Sequence, residues 1–122
     1  MKELVLLDDD SMVAVRLERM LRRTDWTLKY FTAEEPFLDY LAQNVSAALL
    51  VDEYLPRNEG HKVLSNLVER VDTGSTPVYL ISSVELTPEV SGKVRELGFG
   101  FAVKDILCDR DALLSLLEGK AA

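Results

Sequence analysis

The sequence predicts a doubly wound α/β domain, a parallel sheet covered by helices on both faces. Three observations predict it. Five short apolar runs alternate strictly with five longer segments of helical pattern. Strict β–α alternation implies a parallel sheet with right-handed crossovers. Three of the runs are continuously apolar, as central strands buried on both faces must be. Polar residues interrupt the apolar runs at their carboxyl ends, which is where ligands bind in such folds.

The elements follow in order. Leu4-Val5-Leu6-Leu7 is the first strand. In the first helix, Val13, Leu17, Met20 and Leu21 form an apolar stripe, and Arg16, Arg19, Arg22 and Arg23 lie mostly off it. Leu28-Lys29-Tyr30-Phe31 carries a lysine and reads as an edge strand. Thr32-Ala33-Glu34-Glu35 reads as a capping box, with Pro36 confined to a first helical turn. Ala47-Ala48-Leu49-Leu50-Val51 is the third strand, and the helix after it carries Val63, Leu64, Leu67 and Val68. Val78-Tyr79-Leu80-Ile81 is the fourth strand, and Thr87-Pro88-Glu89 gives the next helix a cap and an N-terminal proline. Phe99-Gly100-Phe101-Ala102-Val103 is the fifth strand. The last helix carries Leu113, Leu116 and Leu117, with Asp109 and Asp111 near its positive end.

The 122 residues fit one domain, 1–122, with residues 118–122 expected as a loose tail. No apolar run is long enough to span a membrane. The N-terminus lacks the basic-then-apolar pattern of a signal peptide. A single cysteine, Cys108, cannot form an internal disulfide and suits a reducing compartment, so the expected location is the cytoplasm. With 14 Lys+Arg against 21 Asp+Glu, the net charge of −7 repels nucleic-acid phosphates, so no direct nucleic-acid binding is expected.

The strand ends carry the chemistry. The first strand ends in Asp8-Asp9-Asp10, the third in Asp52, the fourth in Ser82-Ser83 and the fifth in Lys104. In a parallel sheet these ends meet on one edge. Carboxylates gathered there repel each other, and a hard divalent cation such as Mg²⁺ relieves that repulsion. A carboxylate is also a nucleophile toward phosphorus. The phosphoryl oxygens then need neutralising, and an ammonium, a hydroxyl and Mg²⁺ match that need. Taken singly, an Asp after a strand is most often a turn residue or helix cap. The joint occurrence at four strand ends favours the chemical reading.

These residues resemble the receiver domains of bacterial two-component signalling, the CheY-like family, over essentially the whole chain. The resemblance rests on Asp8-Asp9, on Asp52-Glu53-Tyr54-Leu55-Pro56-Arg57-Asn58-Glu59-Gly60, on Ser82-Ser83, on Phe101 three residues before Lys104, and on Lys104 itself. It implies a flavodoxin-like sheet of order 2-1-3-4-5 with five helices. It implies Asp52 as phosphoacceptor, and Mg²⁺ held by Asp8, Asp9, Asp52 and the backbone carbonyl of Tyr54. Lys104 would pair with the phosphoryl group, and Ser82 and Phe101 would act as the switch. The implied phosphodonor is a sensor histidine kinase or a histidine phosphotransfer protein. The implied output face is the fourth helix, fifth strand and fifth helix, about residues 86–118, which is also the candidate dimer surface.

The chain departs from the family pattern in three places. Asp105 stands where most receivers have proline, so a trans peptide bond is expected there. Lys-Asp at this place is common in receivers that carry LuxR-type helix-turn-helix outputs. The stretch from Gly98 to Lys104 is one residue shorter than usual, and Phe101 lacks a hydroxyl. Tyr54 and Val84 border the path of a hydrolytic water in the family, so slow autodephosphorylation is expected. His61 reads as a surface residue, and Cys108 as a packed or half-exposed thiol. Two rival readings stand beside this one. One is a haloacid-dehalogenase-like phosphatase, which Leu6-Leu7-Asp8-Asp9-Asp10-Ser11 also resembles. The other is a receiver-like interaction module that no longer switches.

Overall fold

A computed structural model describes residues 1–119. Five strands, β1 (Lys2–Leu7), β2 (Trp26–Phe31), β3 (Ala48–Asp52), β4 (Val78–Ser82) and β5 (Gly100–Val103), form one parallel sheet in the order β2-β1-β3-β4-β5. The helices are α1 (Ser11–Met20), α2 (Glu34–Gln43), α3 (Gly60–Arg70), α4 (Pro88–Glu96) and α5 (Arg110–Leu117), with a 3₁₀ turn at Lys104–Cys108. The chain reverses its direction of winding between β1 and β3. That switch point opens a crevice at the carboxyl edge.

The alternation of side chains along each strand divides the core. Leu4, Leu6, Leu50 and Ile81 pack on one face under α1 and α5, with Leu17, Leu113 and Leu117. Val5, Leu7, Val51 and Leu80 pack on the other face under α2, α3 and α4, with Phe37, Leu64 and Val94. The three continuously apolar runs are the three central strands, because only a central strand must be apolar on both faces. The edge position expected of the second run holds, and Lys29 points outward there.

Three side-chain helix caps form, and one expected cap does not. Asp10 caps α1 by accepting from the Met12 amide at 2.9 Å, and Thr87 caps α4 by accepting from the Val90 amide at 3.3 Å. Asp109 caps α5 at 3.1 Å. The expected capping box at Thr32 does not form. The N-cap is Ala33, without a side-chain bond. The helix starts one residue later than that box requires, and Glu35, the glutamate such a box would use, pairs instead with Arg70 at 3.1 Å. Pro36 lies within the first turn, as expected. Phe99 stays outside β5 because its amide closes α4 onto the Val94 carbonyl at 3.1 Å. Val68 is surface-exposed rather than part of the core stripe.

The Lys104–Asp105 bond is trans. The tail expected at residues 118–122 lies partly outside the described residues. Of it, Glu118 and Gly119 close α5 with amide bonds to Leu114 and Leu116. No helix among the described residues is long and apolar enough to cross a membrane.

Candidate functional site

Register brings the acidic residues together. Leu7 pairs with Val51, so Asp8 and Asp52 are next neighbours at the carboxyl edge. Val103 pairs with Ser82, so Lys104 emerges two strands away and reaches back. Its Nζ lies 2.9 Å from Asp8 Oδ2 and 3.4 Å from Asp52 Oδ1. Asp8 and Asp52 are buried, at 0% and 3% exposure, whereas Asp9 faces solvent. Each of the three offers a carboxylate oxygen within 4.8 Å of the others. Asp10 belongs to the helix cap, and its amide donates to Asp8 Oδ1 at 2.9 Å.

Burial, and then the Asp8 charge, push the Asp52 carboxyl above the usual carboxylate range. The Lys104 ammonium and the Tyr54 amide pull it down without cancelling that rise. Burial works against the charge of Lys104, but the Asp8 and Asp52 carboxylates outweigh it, and the ammonium is held more tightly than usual. The ammonium ion-pairs with Asp8 Oδ2 and Asp52 Oδ1, and neither oxygen has a further donor among the described residues. Oxygen-only donors, two of them buried with one ammonium between them and a third open to solvent, fit a hard divalent cation that keeps some of its water.

The remaining expected residues lie around this centre. The Ser82 hydroxyl is fully buried and accepts from the Val84 amide at 3.1 Å, so in this state it holds the β4–α4 loop. Phe101 is half-buried and packs on the α4 side of the sheet, with the Arg95 guanidinium 5.3 Å from its ring centroid. Tyr54 and Val84 are exposed, at 57% and 53%. The loop from Glu53 to Gly60 is tied at its base by the Gly60 amide, which donates to the Glu53 carbonyl at 2.9 Å. Gly60 is required there, because a Cβ would collide with the Asp52 carbonyl oxygen.

One expectation is overturned. His61 is buried at 5% exposure, not on the surface. Its Nδ1 lies 2.8 Å from Glu53 Oε2, and its backbone amide donates to Glu53 Oε1 at 2.9 Å. The tied loop turns both ends inward, so the residue after Asp52 and the residue after Gly60 meet. Two polar residues flanking a glycine-closed loop were the available signal. Sequence reasoning also missed Tyr30. Its phenol reaches from β2 toward the acidic residues, and its buried oxygen has no hydrogen-bond partner. Burial first, then Asp8, Asp10 and Asp9, hold its pKa above the ordinary value. Cys108 is exposed, with Arg16 Nη1 at 3.8 Å from its sulfur.

No protein-family model matches the chain, and no curated protein matches it in sequence. Solved structures do match. The chemotaxis protein CheY4 of Vibrio cholerae is 16% identical with a TM-score of 0.84, over 99% of both chains. A CheY-like response regulator receiver domain protein from Methanospirillum hungatei is 16% identical with a TM-score of 0.84, over 98% of this chain and 93% of that one. A response regulator from Burkholderia pseudomallei, solved with a phosphorylated aspartic acid, a calcium ion and citrate, is 15% identical with a TM-score of 0.80. It is matched over 96% of this chain and 66% of that one. Strand order, helix placement and these likenesses agree: the chain has the fold of the CheY-like response-regulator receiver domains.

Proposed function

We propose that this chain is a phosphoacceptor receiver domain that takes a phosphoryl group onto Asp52 from a phosphohistidine on a sensor kinase or phosphotransfer protein. The observation that carries this reading is the placement of Asp52, buried at the crevice, beside Asp8 and within 3.4 Å of the Lys104 ammonium. An Asp52 carboxylate oxygen would attack phosphorus. The phosphorus–nitrogen bond breaks, and the imidazole leaves with the bonding pair and takes up a proton. Lys104 is placed to neutralise an oxygen of the transferred group.

Asp8, Asp9, Asp52 and the backbone carbonyl of Tyr54 would hold Mg²⁺, whose charge neutralises phosphoryl oxygens when it is bound. Ser82 would exchange its bond to the Val84 amide for one to a phosphoryl oxygen. The β4–α4 loop would then lose that tie, and Phe101 would be free to leave the α4 side. Added charge at Asp52 would in this way reach α4, β5 and α5, which are the output face and the candidate dimer surface. A phosphohistidine donor and a free thiol suit the cytoplasm.

The phosphatase reading needs a free acid/base two residues after its nucleophile. Asp10 occupies that place and is engaged as the α1 cap, which disfavours it. The non-switching reading draws on Asp105 and the shortened approach to β5, and it is disfavoured because each expected residue type stands at its strand end. The test is labelling with acetyl phosphate and Mg²⁺. Wild type is expected to gain one phosphoryl group, retained well beyond seconds because Tyr54 and Val84 flank the water path. Asp52→Asn is expected to gain none, and labelling that survives this substitution sinks the reading.

A further inference from the structure

Glu53, Glu59 and His61 converge where the β3–α3 loop closes onto α3. Tyr54 and Glu59 face each other as an isolated antiparallel bridge, and the Gly60 amide ties back to the Glu53 carbonyl. His61 Nδ1 stands 2.8 Å from Glu53 Oε2, 3.0 Å from Glu53 Oε1 and 3.9 Å from Glu59 Oε2. Each of the three side chains offers a ligand atom within 4.8 Å of the others. The Glu53 and His61 side chains are buried, whereas Glu59 opens the group to solvent.

The group holds more acceptors than donors. Nδ1 has one proton to give, and three carboxylate oxygens lie within 4.0 Å of it. The His61 backbone amide takes Glu53 Oε1 at 2.9 Å, which leaves Oε2 to the ring. Lys62 Nζ holds Glu59 Oε1 at 3.0 Å and leaves its Oε2 turned to the same nitrogen. No lysine or arginine among the described residues pairs with Glu53. A buried carboxylate with a second one close by calls for positive charge.

We propose that Glu53, Glu59 and His61 form a site for a borderline transition-metal ion of the Zn²⁺ class, separate from the Mg²⁺ crevice and independent of phosphorylation at Asp52. Donor type sorts the ions. An imidazole nitrogen with carboxylate oxygens suits Zn²⁺, whereas the oxygen-only set of Asp8, Asp9 and Asp52 suits Mg²⁺. Four-coordinate Zn²⁺ with bonds of about 2.0–2.2 Å sets its ligand atoms roughly 3.4 Å apart. The Nδ1 distances of 2.8 Å and 3.9 Å to the two Oε2 atoms straddle that spacing. Opposite shifts of about half an ångström would seat the ion, and exposed Glu59 is free to make one of them. Nδ1 then gives its lone pair to the metal, and its proton passes to Nε2 or, from a doubly protonated ring, to solvent. Water takes the fourth position on the Glu59 side. Without the ion, Glu53 and His61 satisfy each other, so the fold forms in its absence.

The test follows the ring nitrogens of His61, the only histidine, by ¹⁵N NMR as Zn²⁺ is added to the full chain in excess Mg²⁺. Nδ1 is expected to move to a metal-bound position while Nε2 carries the proton, with saturation at one equivalent. Glu59→Gln, at an exposed position, is expected to weaken Zn²⁺ binding at least about tenfold, since even the outer partners of a metal ligand are worth that much. Its amide spectrum should stay dispersed as in wild type. Asp9→Asn and Cys108→Ser are expected to bind Zn²⁺ as wild type does. Four results would overturn the proposal: no movement of the His61 signals at millimolar Zn²⁺, metal on Nε2, binding unchanged in Glu59→Gln, or binding lost in Asp9→Asn or Cys108→Ser. Labelling of Asp52 plays no part in this readout, so failure here leaves the phosphoacceptor reading standing.

Discussion

Glu53 and His61 are the residues whose burial their chemistry least suggests. They satisfy each other through one carboxylate, which also takes the His61 backbone amide at 2.9 Å. A buried polar pair is stable only while both partners remain, and apolar residues of similar size often do as well or better. His61→Ala is therefore expected to lower unfolding free energy by about 3 kcal/mol, since Glu53 loses a buried partner. Glu53→Met/His61→Leu is expected to restore wild-type stability or exceed it. Urea titration at neutral pH checks both, and a His61→Ala variant as stable as wild type would show that the pair contributes nothing. Asp52 differs from this pair in that its neighbours leave its needs unmet. Burial and the adjacent Asp8 raise its pKa, and its Oδ1 has only the shared Lys104 ammonium, 3.4 Å away, as a partner among the described residues. The first arrangement holds the structure together, whereas the second is poised for a ligand.

Among the elements, the β3–α3 connection carries the tightest constraint. Its base is closed by the Gly60 amide on Glu53, and α3 begins where the chain passes under Asp52. A Cβ at Gly60 would collide with the Asp52 carbonyl oxygen and come within 2.7 Å of Leu80 Cδ1. The first contact is with backbone and cannot be relieved by a rotamer change. Gly60→Ala is expected to cost about 1–3 kcal/mol, the range for overpacking, and to slow labelling of Asp52 by displacing the strand end. Thermal unfolding and labelling rate together check this, and a stable variant that labels normally would contradict it. The motif glycine was legible in the sequence, but the reason for it was not. A close approach of two backbones belongs to the packing of α3 on β3 and leaves no trace in local periodicity.

At the scale of the whole molecule, the acidic site opposes folding until something neutralises it. A raised Asp52 pKa means that the native state holds the proton more firmly than the unfolded chain does. That contribution is present below the ordinary carboxylate pKa and is lost as pH rises through the raised value. Metal-free protein should thus lose stability from this site as pH rises from the ordinary carboxylate range through the raised Asp52 pKa. Mg²⁺ is expected to restore it, because a ligand of the native state stabilises by mass action. The expected result is a Mg²⁺-dependent rise in Tm that is largest at neutral pH and shrinks as pH falls through the raised Asp52 pKa. In Asp9→Asn and Asp52→Asn the rise should be reduced or absent. A Tm gain that persists in both variants would place the metal elsewhere.

The order of elements, the three central strands, the edge position of β2 and the residue types at the strand ends could all be read from the chain. They depend on periodicity and on the need of a doubly covered strand to be apolar throughout, and both are local properties. Tertiary structure decided which polar residues turn inward. His61 became buried because a closed loop carried it onto Glu53, and Tyr30 reached the acidic crevice across a strand. Thr32 lost its capping role because α2 starts a residue later and Arg70 of α3 claims Glu35. Arg110 met the end of α1, at the Arg22 carbonyl, only when α5 was laid beside that helix. Each of these results depends on contacts between residues far apart in sequence, which no window along the chain contains.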